Sequence, residues 1–170
     1  PIGVSSNYVL QKVRQIFKKC KAGYVGTLDP LASGFLPVAL GRATKTIKYL
    51  EDCHKGYIFE VLWGVKTSTG DLEGEIEERE TVNLKETTIN AIIKKFLGDY
   101  NQMLHKFSSK KINGKRAYDL ARKKKFFRLR KQKKKIFSLD VIDFISPSKT
   151  RFFVKCSSGT YIRSLVEDMA

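Results

Sequence analysis

Gly23-Tyr24-Val25-Gly26-Thr27-Leu28-Asp29-Pro30-Leu31-Ala32-Ser33-Gly34 gathers three glycines, one proline and one acid in a single short stretch. Asp29 stands directly before Pro30, whose ring clashes with a helical predecessor and pushes Asp29 toward extended geometry. Gly26 and Gly34 permit positive φ or the close approach of another segment. An acid on a loop of this kind is presented to its surroundings rather than merely solvated. The plain alternative is a turn acid, since Asp side chains bond nearby backbone in turns. The loop alone leaves both readings open.

Around that loop the chain is strongly basic. Its 170 residues carry 33 Lys and Arg against 17 Asp and Glu, a net charge of +16. The excess is uneven: residues 106–135 hold 15 of the cations and one acid, Asp119, while the remainder holds 18 cations and 16 acids. A polyanion docking on that segment is the simplest explanation. A solvated lysine-rich face, inflated by lysine-favouring codons, is the alternative, and the near balance elsewhere argues against it.

Length and composition bound the rest. The chain is long enough for one domain with a real core, and 42% hydrophobic residues fits a globular protein. No apolar run approaches the roughly 20 residues of a membrane span. Cys20, Cys53 and Cys156 are far apart and lack CxxC spacing, which argues against a disulfide framework and a zinc site and for buried, reduced thiols in a cytoplasmic protein. His54 and His105 read as surface or loop residues, not metal ligands. The chain opens at Pro1 without a charged-then-apolar leader and stops at Ala170 inside a helical pattern, so it reads as a fragment truncated at both ends, with no signal peptide.

Periodicity predicts the elements. Ser5 or Ser6 caps a helix running to Lys18, with Val9, Val13, Ile16 and Phe17 as its apolar stripe. Leu36–Leu40 reads as a strand, and Thr44–Leu50 as a brief helix. Tyr57–Trp63 is a strand by its aromatic and β-branched content, with Tyr57, Phe59, Val61 and Trp63 on one face, so Tyr57 alone reads as a core aromatic. Gly64–Gly74 reads as a loop and Glu73–Glu80 as a solvent-facing strand. Thr87 caps a helix to Leu97 that buries Ile89, Ile92, Ile93 and Phe96 and ends at Gly98. A helix from Gly114 to Arg122 turns Tyr118, Leu120 and Ala121 inward. Lys123–Lys135 has too many like charges to pack and belongs on phosphate or in solvent. Ile136–Phe144 and Arg151–Cys156 read as strands around the turn Ser146-Pro147-Ser148, and Thr160 caps a final helix. On that helix Arg163 reads alone as a surface residue with Glu167 as its i+4 partner.

The motifs add a resemblance. From Gly23 to Lys45 the pattern Gly-x-x-Gly-Thr-Leu-Asp-Pro-Leu-Ala-Ser-Gly-x-Leu-Pro-Val-Ala-Leu-Gly-x-Ala-Thr-Lys resembles the catalytic motif of the TruB family of bacterial tRNA pseudouridine-55 synthases. Pro1-Ile2-Gly3-Val4-Ser5-Ser6, Lys55-Gly56-Tyr57, the stretch Gln102–Gly114, Ala117–Arg122 and Cys156-Ser157-Ser158-Gly159-Thr160-Tyr161-Ile162-Arg163 resemble further family motifs in the family's order. The resemblance covers nearly the whole chain.

It implies an α+β pseudouridine synthase fold: a central mixed sheet flanked by helices, forming one catalytic domain over 1–170 with a basic RNA-gripping insertion at 98–135. It implies Asp29 as the catalytic carboxylate, Arg163 as the cation brought to it and Tyr57 as the ring that stacks on the target base. Tyr24, Lys106, Lys110, Lys111, Lys115, Arg116 and Arg122 become the RNA contacts. The implied reaction converts uridine 55 of the TΨC stem-loop of tRNA to pseudouridine, with no metal or cofactor, in a cytoplasmic, monomeric protein with no membrane partner, and with a possible accompanying role in tRNA folding. The chain departs from the family pattern in four places: Tyr24 replaces a His, Ser68 an acid, Phe107 a Tyr, and Leu104 and His105 two prolines, which leaves the path of that loop less constrained. The rival readings are an RNA-binding module without catalysis and the archaeal and eukaryotic guide-RNA-dependent branch. The insertion between Gln102 and Arg122 favours the bacterial branch.

Overall fold

Ser5 starts the first helix as expected, its hydroxyl accepting the Tyr8 N–H at 3.1 Å. In the computed structural model, residues 1–170 are described except 51–52, 106–107, 109–110, 113, 118–119, 121–122 and 124–128; for 111–112 and 115–116 only the backbone is described. The described residues form two compact units, Pro1–Cys53 and His54–Ala170.

In the first unit, α1 (Ser6–Ile16) stops two residues earlier than its apolar spacing predicts. Lys18 and Lys19 adopt φ of 50° and 59°, and the Lys19 N–H turns back to the Arg14 carbonyl at 2.7 Å. Leu10 is buried, whereas Ile16 and Phe17 are exposed, so the end of the predicted stripe faces outward. β1 (Ala22–Tyr24) pairs antiparallel with β2 (Val38–Leu40). A 3₁₀ turn, Gly41–Thr46, then leads into the short α2 (Ile47–Leu50).

The second unit is built on β3 (Lys55–Leu62), β6 (Gly98–Met103), β9 (Lys131–Ser146) and β10 (Lys149–Cys156), in the order β3-β10-β9-β6. Each ladder is antiparallel. The period-two face predicted for β3 holds: Val61 and Trp63 are buried, and Phe59 lies against them. Phe152, fully buried on β10, stacks on Phe59 at 5.4 Å and meets Trp63 edge-on at 6.2 Å. The Trp63 indole donates to Thr150 Oγ1 at 3.0 Å, so the polar edge of the ring is not left unpaired in the core. α3 (Glu86–Phe96) seats Ile89 and Ile93 in this core, and α4 (Ile162–Met169) adds Leu165 and Met169. This is an α+β arrangement.

Several expectations are corrected. Lys85, not Thr87, occupies the cap position of α3, without a side-chain bond. The predicted loop after Gly64 contains β4 (Val65–Thr67), paired with the exposed β5 (Ile76–Arg79). The lysines at 131–135 are not free of structure: they form the first third of β9, an interior strand. Alternation makes this possible, because Lys131, Lys133 and Lys135 stay exposed while Lys134 donates to the Ser158 carbonyl at 3.0 Å. Of the thiols only Cys156 is buried; Cys53 is exposed. β7 (Lys111–Ile112) and β8 (Lys115–Arg116) make a small hairpin, so the predicted 114–122 helix is strand at its start, and 118–119 and 121–122 of it lie outside the described residues.

Thr160 does not cap α4. Its hydroxyl donates to the Ser157 carbonyl at 2.8 Å, and Tyr161 holds the cap position. The fully buried Gln102 side chain on β6 engages that residue instead, accepting the Tyr161 N–H at 2.8 Å and donating to its carbonyl at 2.9 Å. Gln102→Leu strands the Tyr161 N–H, at about 1–3 kcal/mol for a buried unpaired group, whereas the Tyr161 carbonyl keeps the Leu165 N–H at 3.0 Å. The urea midpoint is expected to fall with the m-value unchanged, and to fall for Gln102→Glu as well, which keeps an acceptor but buries a carboxylate against the Tyr161 carbonyl.

Candidate active site

The loop carrying Asp29 spans the gap between β1 and β2, and backbone bonds fix it on both sides of the acid. Val25 N–H donates to Pro37 O at 3.0 Å and closes the base. Gly26 sits at φ 73°, a conformation that favours glycine. The buried Ser6 hydroxyl accepts the Leu28 N–H at 2.9 Å and donates to the Leu28 carbonyl at 3.2 Å. One hydroxyl can do both, having a proton and two lone pairs. On the other side Gly3 N–H donates to Pro30 O at 2.7 Å, and Ala32 N–H to Asp29 O at 2.9 Å. Asp29 itself is exposed. The Pro-x-Gly-x-Ser-Ser opening therefore has a mechanical meaning: Gly3 and Ser6 tie down the residues on either side of Asp29. Sequence reasoning missed Ser6 as more than a cap candidate.

Arg163 lies in the first turn of α4, largely buried. Its Nη1 donates to the Thr69 carbonyl at 3.1 Å and to Asp71 Oδ2 at 3.0 Å. The other Asp71 oxygen accepts the Thr69 hydroxyl at 2.5 Å and the Glu73 N–H at 3.0 Å. Asp71, assigned no chemistry from sequence, is thus an anchor for Arg163. Between them Gly70 turns at φ 68°, and a Cβ there would lie 2.9 Å from Glu167 Oε1 and 3.2 Å from His105 Nε2. His105, read from sequence as a surface or loop residue, is buried, with Nε2 at 3.5 Å from Glu167. A histidine thus fills a position where the family pattern has proline, and Leu104 beside it is buried too.

Tyr57 is half-buried on β3, opposite Val154, on the face that becomes fully buried farther along at Val61 and Trp63. Tyr24 ends β1 opposite Val38, also half-buried. Lys111, Lys115 and Arg116 belong to the β7–β8 hairpin; Lys106, Lys110 and Arg122 lie outside the described residues. Among the described residues no three His, Cys, Asp or Glu side chains gather as a metal site, and no helix is long and apolar enough to cross a membrane.

Residues 14–162 match the N-terminal domain of the TruB family pseudouridylate synthases. The chain belongs to the TruB family. Among curated relatives, TruB-type proteins called tRNA pseudouridine synthase B from Sinorhizobium medicae and Brucella ovis are 44% and 42% identical over 169 residues, 99% of this chain. The chain spans 54% and 52% of those proteins, about half their length. Solved structures share the TruB fold at lower identity. A Cbf5-Nop10-Gar1 complex matches at 29% identity and an H/ACA RNP bound to a substrate RNA containing 2'-deoxyuridine at 26%. Each has a TM-score of 0.69 and covers 99% of this chain but only 41% and 39% of the solved one.

Proposed function

We propose that the chain carries the catalytic part of a tRNA pseudouridine synthase acting on uridine 55 of the TΨC loop. The observation that carries this reading is the Asp29 loop, tied through Leu28 and Pro30 to the chain's opening residues while its acid stays exposed. The reaction breaks the uridine N1–C1′ bond, joins C5 to C1′, and exchanges a proton at C5 for one at N1. The substrate supplies both fragments, so a carboxylate, a cation and a ring for the base suffice. Asp29 is that carboxylate, acting on the sugar; Arg163 is the cation that orients it. Tyr57 offers a π face to a base that must leave its stack, an extrusion of about a few kcal/mol against which stacking returns about 1–3 kcal/mol. The 98–135 insertion, with Tyr24, Lys106, Lys110, Lys111, Lys115, Arg116 and Arg122, holds phosphate without reading sequence. The protein works as a cytoplasmic monomer without metal or cofactor, and its grip on the TΨC arm also assists tRNA folding.

Identities of 42–44% to bacterial relatives, against 26–29% for the solved Cbf5 and H/ACA proteins, support the stand-alone branch. The test is tritium release from a 5-tritiated TΨC stem-loop with no guide RNA added. Release is expected. Binding without release, both by this chain and by a version extended to the relatives' length, would sink the synthase reading in favour of a binding module. Release only when a guide RNA is added would move the chain to the other branch.

A further inference from the structure

Removing the 106–135 segment does not leave an evenly balanced remainder. Residues 1–53, the first unit, hold eight Lys and Arg and three acids, Asp29, Glu51 and Asp52; residues 54–105 and 136–170 together hold ten cations and 13 acids. The first unit is therefore a second basic body, and its cations cluster by topology. The turn after α1 carries Lys18 and Lys19, Lys21 precedes β1, and the Gly41 N–H that precedes Arg42 donates to the Lys21 carbonyl at 2.6 Å. These four side chains are exposed, and Arg14 lies in the last turn of α1. The cluster stands at the open end of the β1–β2 ladder, opposite the end from which the Asp29 loop leaves. The ladder is three residues long, about 10 Å.

Backbone conformation supplies an independent observation. Lys18 and Lys19 are the only non-glycine residues at positive φ among the described residues, and two in succession is a strained arrangement for side chains with a Cβ. Terminating α1 does not call for lysine there, since glycine is the ordinary residue for that geometry. Complementing the helix dipole does not call for it either, because Arg14 already places a cation in the last turn. Next to the two lysines in the chain Ile16 is 75% and Phe17 50% exposed, and farther back along α1 Lys12 Nζ lies 5.5 Å from the centre of the exposed Tyr8 ring. Cations interleaved with open aromatic faces suit a nucleic-acid strand, phosphate on the amines and base or ribose on the rings.

The geometry points to a second RNA-backbone contact at the α1–β1 turn, centred on Lys18 and Lys19 and separate from the 98–135 insertion. It grips phosphates about one short ladder away from the Asp29 loop, and it rests on the synthase reading above. Lys18→Asn/Lys19→Asn tests it, because asparagine tolerates the left-handed backbone without carrying charge. The charge-matched control is Lys94→Gln/Lys95→Gln, two exposed cations in the last turn of α3. Against the TΨC stem-loop at low salt the first variant is expected to bind about tenfold more weakly. Its log affinity against log salt should be shallower by about one to two, with melting temperature unchanged or raised, and the control should lose much less. Unchanged affinity, or an equal loss in the control, overturns the proposal while wild-type binding and tritium release keep the synthase reading intact. A wild-type chain that does not bind the stem-loop overturns both.

Discussion

Asp29→Asn leaves stem-loop affinity where it was and lowers tritium release by about 10³-fold or more, the scale expected when a reacting carboxylate is lost. The substitution is nearly isosteric, and the bonds described above hold the loop through its backbone. Leu28 is held by Ser6, Pro30 by Gly3, and Ala32 by the backbone carbonyl of residue 29 itself. The loop path should therefore survive, and the loss should be one of chemistry. Single-turnover release and filter binding at matched salt separate the two. Release within tenfold of wild type would remove Asp29 from the reaction; a matching fall in affinity would instead make it a docking residue.

Arg163→Met is expected to cut the single-turnover rate by about 10²–10³-fold, and Asp71→Asn by about tenfold, with little change in RNA affinity for either. One nitrogen of Arg163 serves two acceptors on the 69–71 turn, so the guanidinium is aimed by that turn. Neutralising Asp71 loosens the aim without removing the cation. Side chains that are 16% and 21% exposed are less dry than a fully buried pair, so breaking this one should lower stability by about 1–3 kcal/mol, below the 3–5 kcal/mol of complete burial. The double variant should be no slower than Arg163→Met alone, because a residue that acts through Arg163 has nothing left to aim. A double variant slower by the full product of the two would mean that Asp71 acts independently.

Elements with a clean period were legible in the sequence. β3, the hairpin of β9 and β10, and α3 follow from spacing and turn residues, and the Asp29 loop was marked by its glycines and proline. Features set by distant partners were not legible. Gln102 reads as one polar residue in a basic stretch until β6 brings it to Tyr161. Asp71 reads as a turn acid until α4 brings Arg163 over it. His105 looked superficial because nothing local announces a buried imidazole. The lysines of β9 hid a strand in plain view, since alternate residues of an interior strand can face solvent and charge says nothing about backbone pairing. The helix stop at Ile16 was missed for a related reason: Lys18 and Lys19 carry no sign in their side chains of the left-handed backbone they adopt.

The order of strands has a consequence for how the chain is made. β3 lies at one edge of its sheet and pairs with β10, whose last residue is Cys156. During translation Phe59, Val61 and Trp63 leave the ribosome about ninety residues before their partner strand does, which at about 5–20 residues per second is a wait of roughly 5–20 s. The first unit closes on contacts within its own fifty-odd residues and has no such delay. The nascent second unit therefore spends seconds with an aromatic strand uncovered, and it is there, rather than at the Asp29 loop, that a trigger-type chaperone or a slow codon would change the yield of folded protein.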